Sequence, residues 1–440
     1  MEITNPNLVE LWKLVSDNTV WRVSTSPEAE YSAVSTWDKN IYFLDKNGKV
    51  LWKNETNEIV GDLKICDDNS VIYGSFDKNV YLVDTKGKQK WKFKTESMVR
   101  GIGIAKEKIL AGTWDGILYF LSKRGSLLRK QDIKTRITTV DIDSNAKFVC
   151  VGSDDRNAYV YDGEGELLWK YQTGNYITKT AISGDGEYIL IGSADAFLYL
   201  FEKSGKLLWK YNTNGLISSV GISNSGEYTA CCLSSYLYFF DRDGRLIWLY
   251  KARGDIFDFD MSETGGYIIM GRGDNLACLY ENVATVEEDI AYTKELLEDA
   301  RKKEIDVTKA EESYLNAKMH YKEKEMDKAL KALYNTKENI KEAINEKRIE
   351  LVSSVLPTLE KELEKLKNEG KEVKELENVV NRCSSCLETG RVLSAEIYAK
   401  KGVELMDKIF GKVGQKMCNS CGKVVREIWK SCPYCKKKLV

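Results

Sequence analysis

The sequence predicts a multidomain protein that consists of an all-β propeller of seven blades, an all-α helical hairpin repeat and a small metal-binding module. Three observations support this fold class. One phrase recurs seven times in residues 1–282, Lys, Glu, Leu and Ala recur at helical spacing in residues 283–414, and two pairs of cysteines occur in residues 415–440. We therefore expect three domains with these boundaries.

The repeated phrase of the first domain is most complete in residues 74–95. It joins a Gly and a turn Asp to an apolar run, a Gly-Lys turn and a strand that contains Trp. A period of about 40 residues, filled by short β-type runs, is typical of a propeller blade with four antiparallel strands. With Arg129 in the one missing place, the steps are 38 to 40 residues between Trp12, Trp52, Trp91, Trp169, Trp209 and Trp248.

Turn residues occupy fixed places in each repeat. The turn Asp, for example Asp77, can accept hydrogen bonds from its own backbone, and Gly74 before it lets the next blade approach closely. The second hairpin, residues 84–88, has Gly87 where a positive φ is needed. The runs between turns, such as residues 197–201, are apolar on both sides. This favours strands that a neighbouring blade covers on each face.

The two ends of the propeller sequence predict how the ring closes. The seventh unit has strands near residues 256–259, 267–270 and 276–280, and it ends without a Gly-Lys-x-x-Trp strand. Residues 8–14, which contain Trp12, form such a strand without a blade of their own. We expect this N-terminal segment to supply the outer strand of the last blade, because no open sheet edge then remains.

The pattern Asp-x-x-Gly-Lys-x-x-Trp, as in residues 84–91, resembles the docking motif of propellers related to pyrroloquinoline-quinone (PQQ, quinoprotein-type) enzymes. The resemblance covers residues 8–282 and implies the propeller architecture. Tryptophan-aspartate (WD) repeats would show Gly-His and Trp-Asp at fixed places, and this sequence does not. The resemblance implies little about activity, because propellers host unrelated functions.

Vicinal Cys231 and Cys232 are similar to the disulfide that lies over the quinone in some quinoprotein dehydrogenases. In the repeat, however, they occupy the places of Ile191 and Gly192, inside a strand. Those enzymes are also exported, larger and eight-bladed. We therefore expect both cysteines to pack in the core, and we expect no bound quinone.

Composition limits the location and the chemistry. The chain has 440 residues, of which 43% are hydrophobic and 10% aromatic, enough for a sizeable core, and its net charge of −1 gives no argument for nucleic acid. Residues 1–6 lack the basic and apolar regions of a signal peptide, so we expect a cytoplasmic protein without a membrane segment. Eleven cysteines fit a reducing compartment. His320 is the only histidine, which removes most acid–base and triad chemistry and favours a non-enzyme.

The helical region contains a second repeat, of 66 residues. Its small residues resemble those of tetratricopeptide helices, and we expect two units of about three helices each. Pro357 should mark the seam between the units, Thr285 should cap the first helix, and Asp306 the second. Cys383 and Cys386 are then packing residues rather than metal ligands. The matched positions are Leu297 and Leu363, Val307 and Val373, Ala317 and Cys383, His320 and Cys386, and Ala329 and Ala395.

The last 23 residues contain Cys418, Cys421, Cys432 and Cys435. Two Cys-x-x-Cys pairs with ten residues between them can present four thiolates to one ion, at Zn–S distances of about 2.3 Å. Gly422 permits the tight turn after the first pair. The segment resembles a minimal zinc ribbon, and we expect one Zn²⁺ per chain rather than a redox dithiol or an iron site. Because sulfur would fill all four positions, the ion would be structural rather than catalytic.

The predicted ribbon is also basic. Basic side chains bind phosphate and an indole can stack on a base, so this surface could contact nucleic acid. In the alternative interpretation, the indole covers the metal site and the lysines only solvate a small module. The residues concerned are Lys423, Arg426, Trp429, Lys430, Lys436, Lys437 and Lys438.

The repeated turn aspartates and residues 241–244 could also be interpreted as calcium ligands. The acidic residue that closes an EF-hand loop is missing after residue 244, and similar turns recur in other blades, so hairpins are the simpler account. The sequence contains no phosphate-binding loop, nucleophile elbow or kinase motif set.

Together these features predict a non-enzymatic cytoplasmic scaffold or adaptor that binds protein partners through the propeller, the helices and the zinc ribbon. Simultaneous binding would raise the effective concentration of two partners. The alternative is a nucleic-acid- or ribosome-associated protein that uses the basic ribbon. A quinoprotein-type enzyme is not expected.

Overall fold

The computed structural model describes residues 6–410, 415–417 and 424–426. Within these residues, 28 strands form seven four-stranded antiparallel sheets, and five helices follow. The prediction of a seven-bladed propeller is confirmed. We number the blades along the chain. Blade 1 contains the second to fifth strands, and blade 7 contains the last three of the 28 propeller strands together with the first.

The strands are short, most of them six residues. The N-terminal strand β1 is Leu8–Val15. Blades 1 to 3 contain β2 (Val20–Thr25), β3 (Tyr31–Thr36), β4 (Asn40–Asp45), β5 (Val50–Glu55), β6 (Val60–Ile65), β7 (Val71–Ser75), β8 (Asn79–Val83), β9 (Gln89–Lys94), β10 (Val99–Ile104), β11 (Lys108–Thr113), β12 (Ile117–Ser122) and β13 (Leu127–Asp132). Blades 4 and 5 contain β14 (Ile137–Ile142), β15 (Phe148–Ser153), β16 (Asn157–Asp162), β17 (Leu167–Gln172), β18 (Ile177–Ile182), β19 (Tyr188–Ser193), β20 (Phe197–Glu202) and β21 (Leu207–Asn212). Blade 6 and the rest of blade 7 contain β22 (Ser219–Ile222), β23 (Tyr228–Leu233), β24 (Tyr236–Asp241), β25 (Leu246–Lys251), β26 (Ile256–Met261), β27 (Tyr267–Arg272) and β28 (Leu276–Asn282).

The ring closes through β1, which is the outer strand of blade 7. The order of that sheet is β1-β28-β27-β26. Trp12 pairs with Leu279, and its side chain is only 7% exposed. The N-terminal segment therefore covers the outer edge of β28. It takes the place of the Trp-containing strand that the seventh repeat lacks, as predicted.

Neighbouring blades meet at a recurring contact, which we call a blade joint. The Trp of one outer strand packs over the hairpin Gly of the next blade. Gly48 has φ +78°, and a Cβ there would lie 2.6 Å from the Cβ of Trp12, so only glycine fits. The six such pairs are Trp12 with Gly48, Trp52 with Gly87, Trp91 with Gly125, Arg129 with Gly165, Trp169 with Gly205 and Trp209 with Gly244.

Several joints add a hydrogen bond from the indole N–H to a carbonyl of the next hairpin. Trp169 donates to the Lys203 carbonyl at 2.9 Å, and Trp209 donates to the Arg242 carbonyl at 2.8 Å. Arg129, which replaces Trp in blade 3, donates its guanidinium to the Glu164 carbonyl. An arginine can therefore fill the missing place because its planar donor reaches the same kind of acceptor.

The joint between blades 6 and 7 is different, because blade 7 has no hairpin of this kind. There the Nε1 of Trp248 donates to the hydroxyl of Thr285 at 2.9 Å. The Thr285 hydroxyl in turn donates to Oδ1 of Asn282 at 2.9 Å. Asn282 also accepts the Thr285 N–H at 3.3 Å, so Asn282, rather than the predicted Thr285, caps the first helix.

The helices keep the 66-residue repeat. Thr308 and Lys374 begin corresponding helices, and Lys322 and Glu388 end them, each pair 66 residues apart. Asp306 accepts hydrogen bonds from the N–H and the hydroxyl of Thr308, as predicted for a cap. The helices are α1 (Val283–Lys302), α2 (Thr308–Lys322), α3 (Met326–Asn368), α4 (Lys374–Glu388) and α5 (Val392–Phe410).

The expected break at Pro357 is wrong, because Pro357 lies inside α3. The third helix of the first unit continues into the first helix of the second, which gives five helices rather than six. A proline inside a helix removes one backbone hydrogen bond and costs about 3 kcal/mol. Val355, Leu356 and Leu359 on either side of it are buried in one apolar cluster, which offsets this cost.

The chain divides into two compact units. One contains residues up to Ala291 together with Leu315–Tyr334, and the other contains Tyr292–Tyr314 and the chain from Asn335 onward. The propeller unit therefore includes the start of α1, the end of α2 and the start of α3, beyond the boundary at residue 282 that the composition suggested. The second unit has an apolar core in which Leu366, Leu376 and Ala395 are buried.

Two short strands are described beyond the helices. β29 (Gln415–Met417) pairs antiparallel with β30 (Val424–Arg426). None of the helices that the structure describes combines the length and the apolar character needed to cross a membrane.

Candidate binding face of the propeller

The first strand of each blade places two residues towards the central channel. In most first strands the register shifts by one residue near the start, for example between Val60 and Asp62 in blade 2. Such a bulge re-aims the residues that follow it. By register, the first ring of positions is Arg22, Asp62, Gly101, Thr139, Lys179, Ser219 and Asp258. The second ring is Ser24, Lys64, Gly103, Asp141, Ala181, Gly221 and Asp260.

The channel carboxylates hold neighbouring blades together. Each accepts a hydrogen bond from a backbone N–H in the first strand of the next blade. Such bonds to charged acceptors are stronger than neutral ones. The pairs are Ile102 N–H with Asp62 (3.0 Å), Ile182 with Asp141 (2.8 Å), Val23 with Asp258 (3.1 Å) and Thr25 with Asp260 (3.1 Å). These aspartates therefore have a structural task in the ring.

Charges inside the channel are balanced across it. Nζ of Lys179 lies 3.0 Å from Oδ1 of Asp62. Burial raises the pKa of the Asp62 carboxyl, but the charges of Lys179 and Arg22 outweigh it and hold the pKa below its ordinary value. Burial lowers the pKa of Lys64, yet surrounding aspartates, Asp260 first, hold it above its ordinary value. For Asp141, burial dominates and raises the pKa in spite of the nearby Lys64.

The channel opens on the face formed by the turns between first and second strands. A cavity of about 460 Å³ lies there, lined by Lys64, Asp141 and Asp260 among others. Backbone hydrogen bonds connect successive turns around the rim, for example Glu263 N–H to the Pro27 carbonyl at 2.8 Å. Two of the carboxylates that line the cavity already accept backbone hydrogen bonds within the ring, Asp141 from Ile182 and Asp260 from Thr25.

The opposite face carries aromatic and guanidinium groups. The residues on this face lie at the start of each first strand and just after the end of each second strand. The two strands are antiparallel, so these two ends lie on the same face of the ring. Backbone bonds link the two positions, such as Trp37 N–H to the Thr19 carbonyl at 3.0 Å. We call the following set the aromatic–arginine arc: Trp21, Trp37, Phe76, Trp114 and Phe257 with Arg22, Arg100 and Arg136.

The arc is held by ring contacts and by guanidinium groups stacked on rings. Trp21 meets Trp37 edge-on at 5.1 Å between centroids and Phe257 at 5.8 Å. The guanidinium of Arg22 lies 4.3 Å from the centroid of Trp21. Trp37 remains 45% exposed, which is unusual for an indole without a partner surface.

Further along the arc, Arg100 lies 5.4 Å from the ring centroids of both Phe76 and Trp114. Arg136 lies 5.0 Å from the Trp114 centroid and makes an ion pair of 3.6 Å with Asp154. Burial lowers the pKa of Arg100, and the nearby Arg22 lowers it further.

The arc is confined to one side of the ring. The residue after the second strand is Trp37, Phe76 or Trp114 in blades 1 to 3. In blades 4 to 7 the same position holds Asp154, Ala194, Ser234 and Gly273. This surface was not predicted from the sequence, although the signal was present: an aromatic residue precedes the turn Asp in the first three repeats only. These aromatic residues form one surface with Phe257 only because the closed ring brings blade 7 beside blade 1.

The predicted zinc and partner residues cannot be placed. Cys418, Cys421, Cys432 and Cys435 lie outside the described residues, as do most residues of the predicted basic surface. For Arg426, at the end of β30, only the backbone pairing with Gln415 is described.

The cysteines inside the propeller and the helices are packing residues. Cys231 and Cys232 in β23 are fully buried and unpaired, and burial raises the pKa of both thiols. Cys383 and Cys386 in α4 are buried in the apolar core of the second unit. Burial raises the pKa of Cys383 to about 11, so this thiol is a poor metal ligand at neutral pH.

His320 lies near the end of α2, where its Nδ1 is 2.7 Å from Oε2 of Glu325 and 3.9 Å from Glu323. The three side chains are close enough to share an ion, but both carboxylates are solvated groups of one hairpin. The turn aspartates bind their own hairpins: Asp77 accepts from the Tyr81 hydroxyl at 2.5 Å and from the Asn79 N–H at 3.1 Å. This agrees with the hairpin interpretation rather than with calcium binding.

Two family models match parts of the chain. The lambda-carrageenase beta-propeller domain matches residues 31–136, and the WD domain, G-beta repeat, matches residues 126–162. Both matches lie in the propeller, and neither covers half of the chain. No curated protein matches the chain. The matches support a propeller with WD-like repeats, and the PQQ-like, tetratricopeptide-like and zinc-ribbon resemblances stay predictions.

Proposed function

We propose that this chain is a non-enzymatic cytoplasmic scaffold and that the aromatic–arginine arc is the surface with which its propeller holds a protein partner. The observation that carries the proposal is the exposed Trp37 within a cluster of aromatic and guanidinium groups on a rigid ring. Trp, Tyr and Arg dominate the binding energy of protein interfaces. A WD-like propeller is consistent with this role.

Rigidity supports the proposal. Trp37, Phe76 and Trp114 follow second strands whose ends are tied by backbone hydrogen bonds of 2.9 to 3.0 Å to the segment before the first strand. A partner would therefore pay little to order this surface, and the binding energy would appear as affinity.

Photocrosslinking tests the proposed function. A photoreactive phenylalanine analogue at position 37 should give protein adducts in cells of the native host. The matched control is the same analogue at Leu168, an outer-strand residue that is 47% exposed and lies away from the arc. Adducts specific to position 37 support the scaffold. Equal adduct patterns at both positions, or none at position 37, would show that the arc is not a docking surface.

We also propose that Cys418, Cys421, Cys432 and Cys435 bind one structural Zn²⁺. The spacing of the two Cys-x-x-Cys pairs supports this, and so does the pairing of β29 with β30, whose connecting sequence contains the first pair. Metal analysis of the purified chain should give about one zinc per chain. Cys432→Ser should abolish retention of zinc and leave the thermal transition of the propeller unchanged, whereas a Cys383→Ser control should retain it. A chain that keeps its zinc after Cys432→Ser would refute the ligand assignment.

A further inference from the structure

Arg100 carries a partly buried positive charge that no carboxylate contacts directly in the described part of the chain. Its Nε is enclosed and has no hydrogen-bond partner. In the described part of the chain, Arg100 forms no ion pair within 4 Å. Burial lowers the pKa of its guanidinium and the like charge of Arg22 lowers it further, while the carboxylate of Asp62, whose own ion pair is with Lys179, raises it without reversing the shift. A buried charge is normally paired, so this arrangement has an unmet need for an anion.

The neighbouring charges do not meet that need. Arg22 donates to the carbonyls of Gly61 and Trp21, at 3.0 and 3.1 Å, and not to a carboxylate. The carboxylate of Asp62 is paired with Lys179 at 3.0 Å. The carboxylates of the adjacent turns accept hydrogen bonds within their own hairpins: Asp38 from Thr36, Asp77 from Tyr81, and Asp115 from Thr113.

The stacking of the guanidinium groups indicates what kind of anion fits. Arg100 lies against both Phe76 and Trp114, and Arg136 lies against Trp114 as well. These ring faces are therefore covered by guanidinium groups, and nucleic-acid bases would have to displace them in order to stack. A stacked guanidinium still offers the N–H groups at its edge, which match a carboxylate in a two-point contact.

Apolar surface lies beside these cations. Trp37 is 45% exposed and is held edge-on by Trp21, which also carries Arg22. The surface therefore combines charge complementarity to a carboxylate with a fixed indole for an apolar side chain. A segment in which an acidic residue adjoins an apolar one would supply both groups.

We propose that the aromatic–arginine arc binds an acidic segment of a protein partner, with Asp or Glu carboxylates paired to Arg100 and Arg22 and an adjoining apolar side chain packed on Trp37. This inference rests on the proposed scaffold function and specifies the chemistry of the partner. The paired carboxylate neutralises the charge at Arg100 when it binds, so affinity falls as salt concentration rises.

Fluorescence anisotropy with the full chain tests the inference. The probe is a labelled synthetic peptide of alternating Glu and Leu, compared with the same peptide in which Gln replaces every Glu. We expect the acidic peptide to bind about tenfold or more tightly than the neutral one, and Arg100→Gln to remove that difference. The matched control is Arg124→Gln, which removes an exposed arginine in the hairpin between the third and fourth strands of blade 3.

A second variant keeps the test informative if Arg100→Gln lowers stability. Arg136→Gln changes an exposed side chain of the same arc, and it should weaken the acidic peptide by a smaller factor because Asp154 already pairs with Arg136. Thermal unfolding followed by circular dichroism confirms that each variant folds.

Three results would overturn the inference: equal binding of the acidic and neutral peptides, undiminished discrimination in Arg100→Gln, or tighter binding of an oligo-dT strand than of the acidic peptide. Adducts at position 37 combined with any of these results would leave the scaffold function standing and remove only the acidic partner. The absence of adducts at position 37 would remove the scaffold function itself.

Discussion

Six blade joints of the propeller are built alike, and the seventh, between blades 6 and 7, is built differently. In the six, an outer-strand Trp or Arg packs over a hairpin glycine of the next blade. In the seventh, Trp248 finds no hairpin and donates instead to Thr285 at the start of α1. Blade 6 keeps its Trp although blade 7 has no hairpin to receive it. The comparison shows that another element, here α1, can supply the acceptor for the indole N–H.

Two further contacts show that the first two turns of α1 belong structurally to the propeller. The Tyr228 hydroxyl donates to Asp289 at 2.7 Å in a buried position, and Arg245 pairs with Glu288 at 3.0 Å. Asp327, in the first turn of α3, accepts hydrogen bonds from Ser262 at 2.7 Å and from the Gly266 N–H at 3.2 Å. The end of the ring is therefore closed by helical residues, whereas the other joints use the repeat alone.

Removal of residues 1–15 should have the largest effect, because it deletes β1 and the Trp12 joint together. The edge of β28 would be left open, and unpaired edges promote aggregation. We expect the cooperative thermal transition of the propeller to disappear and oligomers to form, as measured by circular dichroism and sedimentation velocity. Removal of residues 415–440 is the control and should leave the transition intact. A cooperative monomeric chain without residues 1–15 would contradict the role of β1.

Trp248→Ala should be the next largest change and should exceed Trp209→Ala. Trp248 is 3% exposed and stacks on Phe239 at 4.7 Å, whereas Trp209 of a regular joint is partly exposed. We expect losses in the free energy of unfolding of about 3–5 kcal/mol for Trp248→Ala and about 2 kcal/mol for Trp209→Ala. Denaturant unfolding followed by fluorescence measures both. The opposite order would mean that the seventh joint contributes less than the regular ones.

Asp327→Asn should change the pH dependence of stability by an intermediate amount. Burial raises the pKa of Asp327 from an ordinary value of 3.8 to about 6, despite hydrogen bonds from Thr264, Ser262 and Gly266. The folded state therefore binds the proton more tightly than the unfolded state. The stability that protonation contributes is fully present below about pH 4 and is lost as the pH rises through about 6.

Between pH 4 and pH 7 the free energy of unfolding of the native chain should therefore fall by on the order of 2 kcal/mol relative to that of Asp327→Asn. Thermal midpoints and hydrogen exchange of the Gly266 amide, measured across this range, check the prediction. The control is Asp299→Asn, since Asp299 is an exposed partner of Lys303. Parallel pH profiles of the native chain and Asp327→Asn would show that this carboxyl does not titrate in the range.

Thr285→Val should have the smallest effect. It removes the acceptor of the Trp248 indole and should cost about 1 kcal/mol, or somewhat more because the donor stays buried. Trp248→Phe removes the donor. The double variant should lose less free energy of unfolding than the two single variants lose together. Thr308→Val, which changes an exposed helix start, is the control. Strict additivity of Thr285→Val and Trp248→Phe would show that the hydrogen bond does not stabilise the joint.

Much of the fold could be predicted because its signals are local. A Trp that returns after a fixed interval marks each outer strand, and the orphan strand around Trp12 has one place where it closes the ring. The continuous helix through Pro357 could not be predicted, because its apolar contacts with Val355, Leu356 and Leu359 outweigh the local preference of proline to end a helix. The cap at Asn282 was missed for a related reason, since the last strand runs directly into α1.

By itself, the sequence determined the number of blades, the strand order and the part that β1 plays in closing the ring, because each repeat specifies its own sheet through turns and apolar runs. Only the tertiary structure decided which side chains meet. Phe257 and Trp21 are far apart in the chain and touch because blade 7 lies beside blade 1. The lowered pKa of Arg100 depends on the same closure, since its burial and its proximity to Arg22 arise only once the sheets surround a common axis.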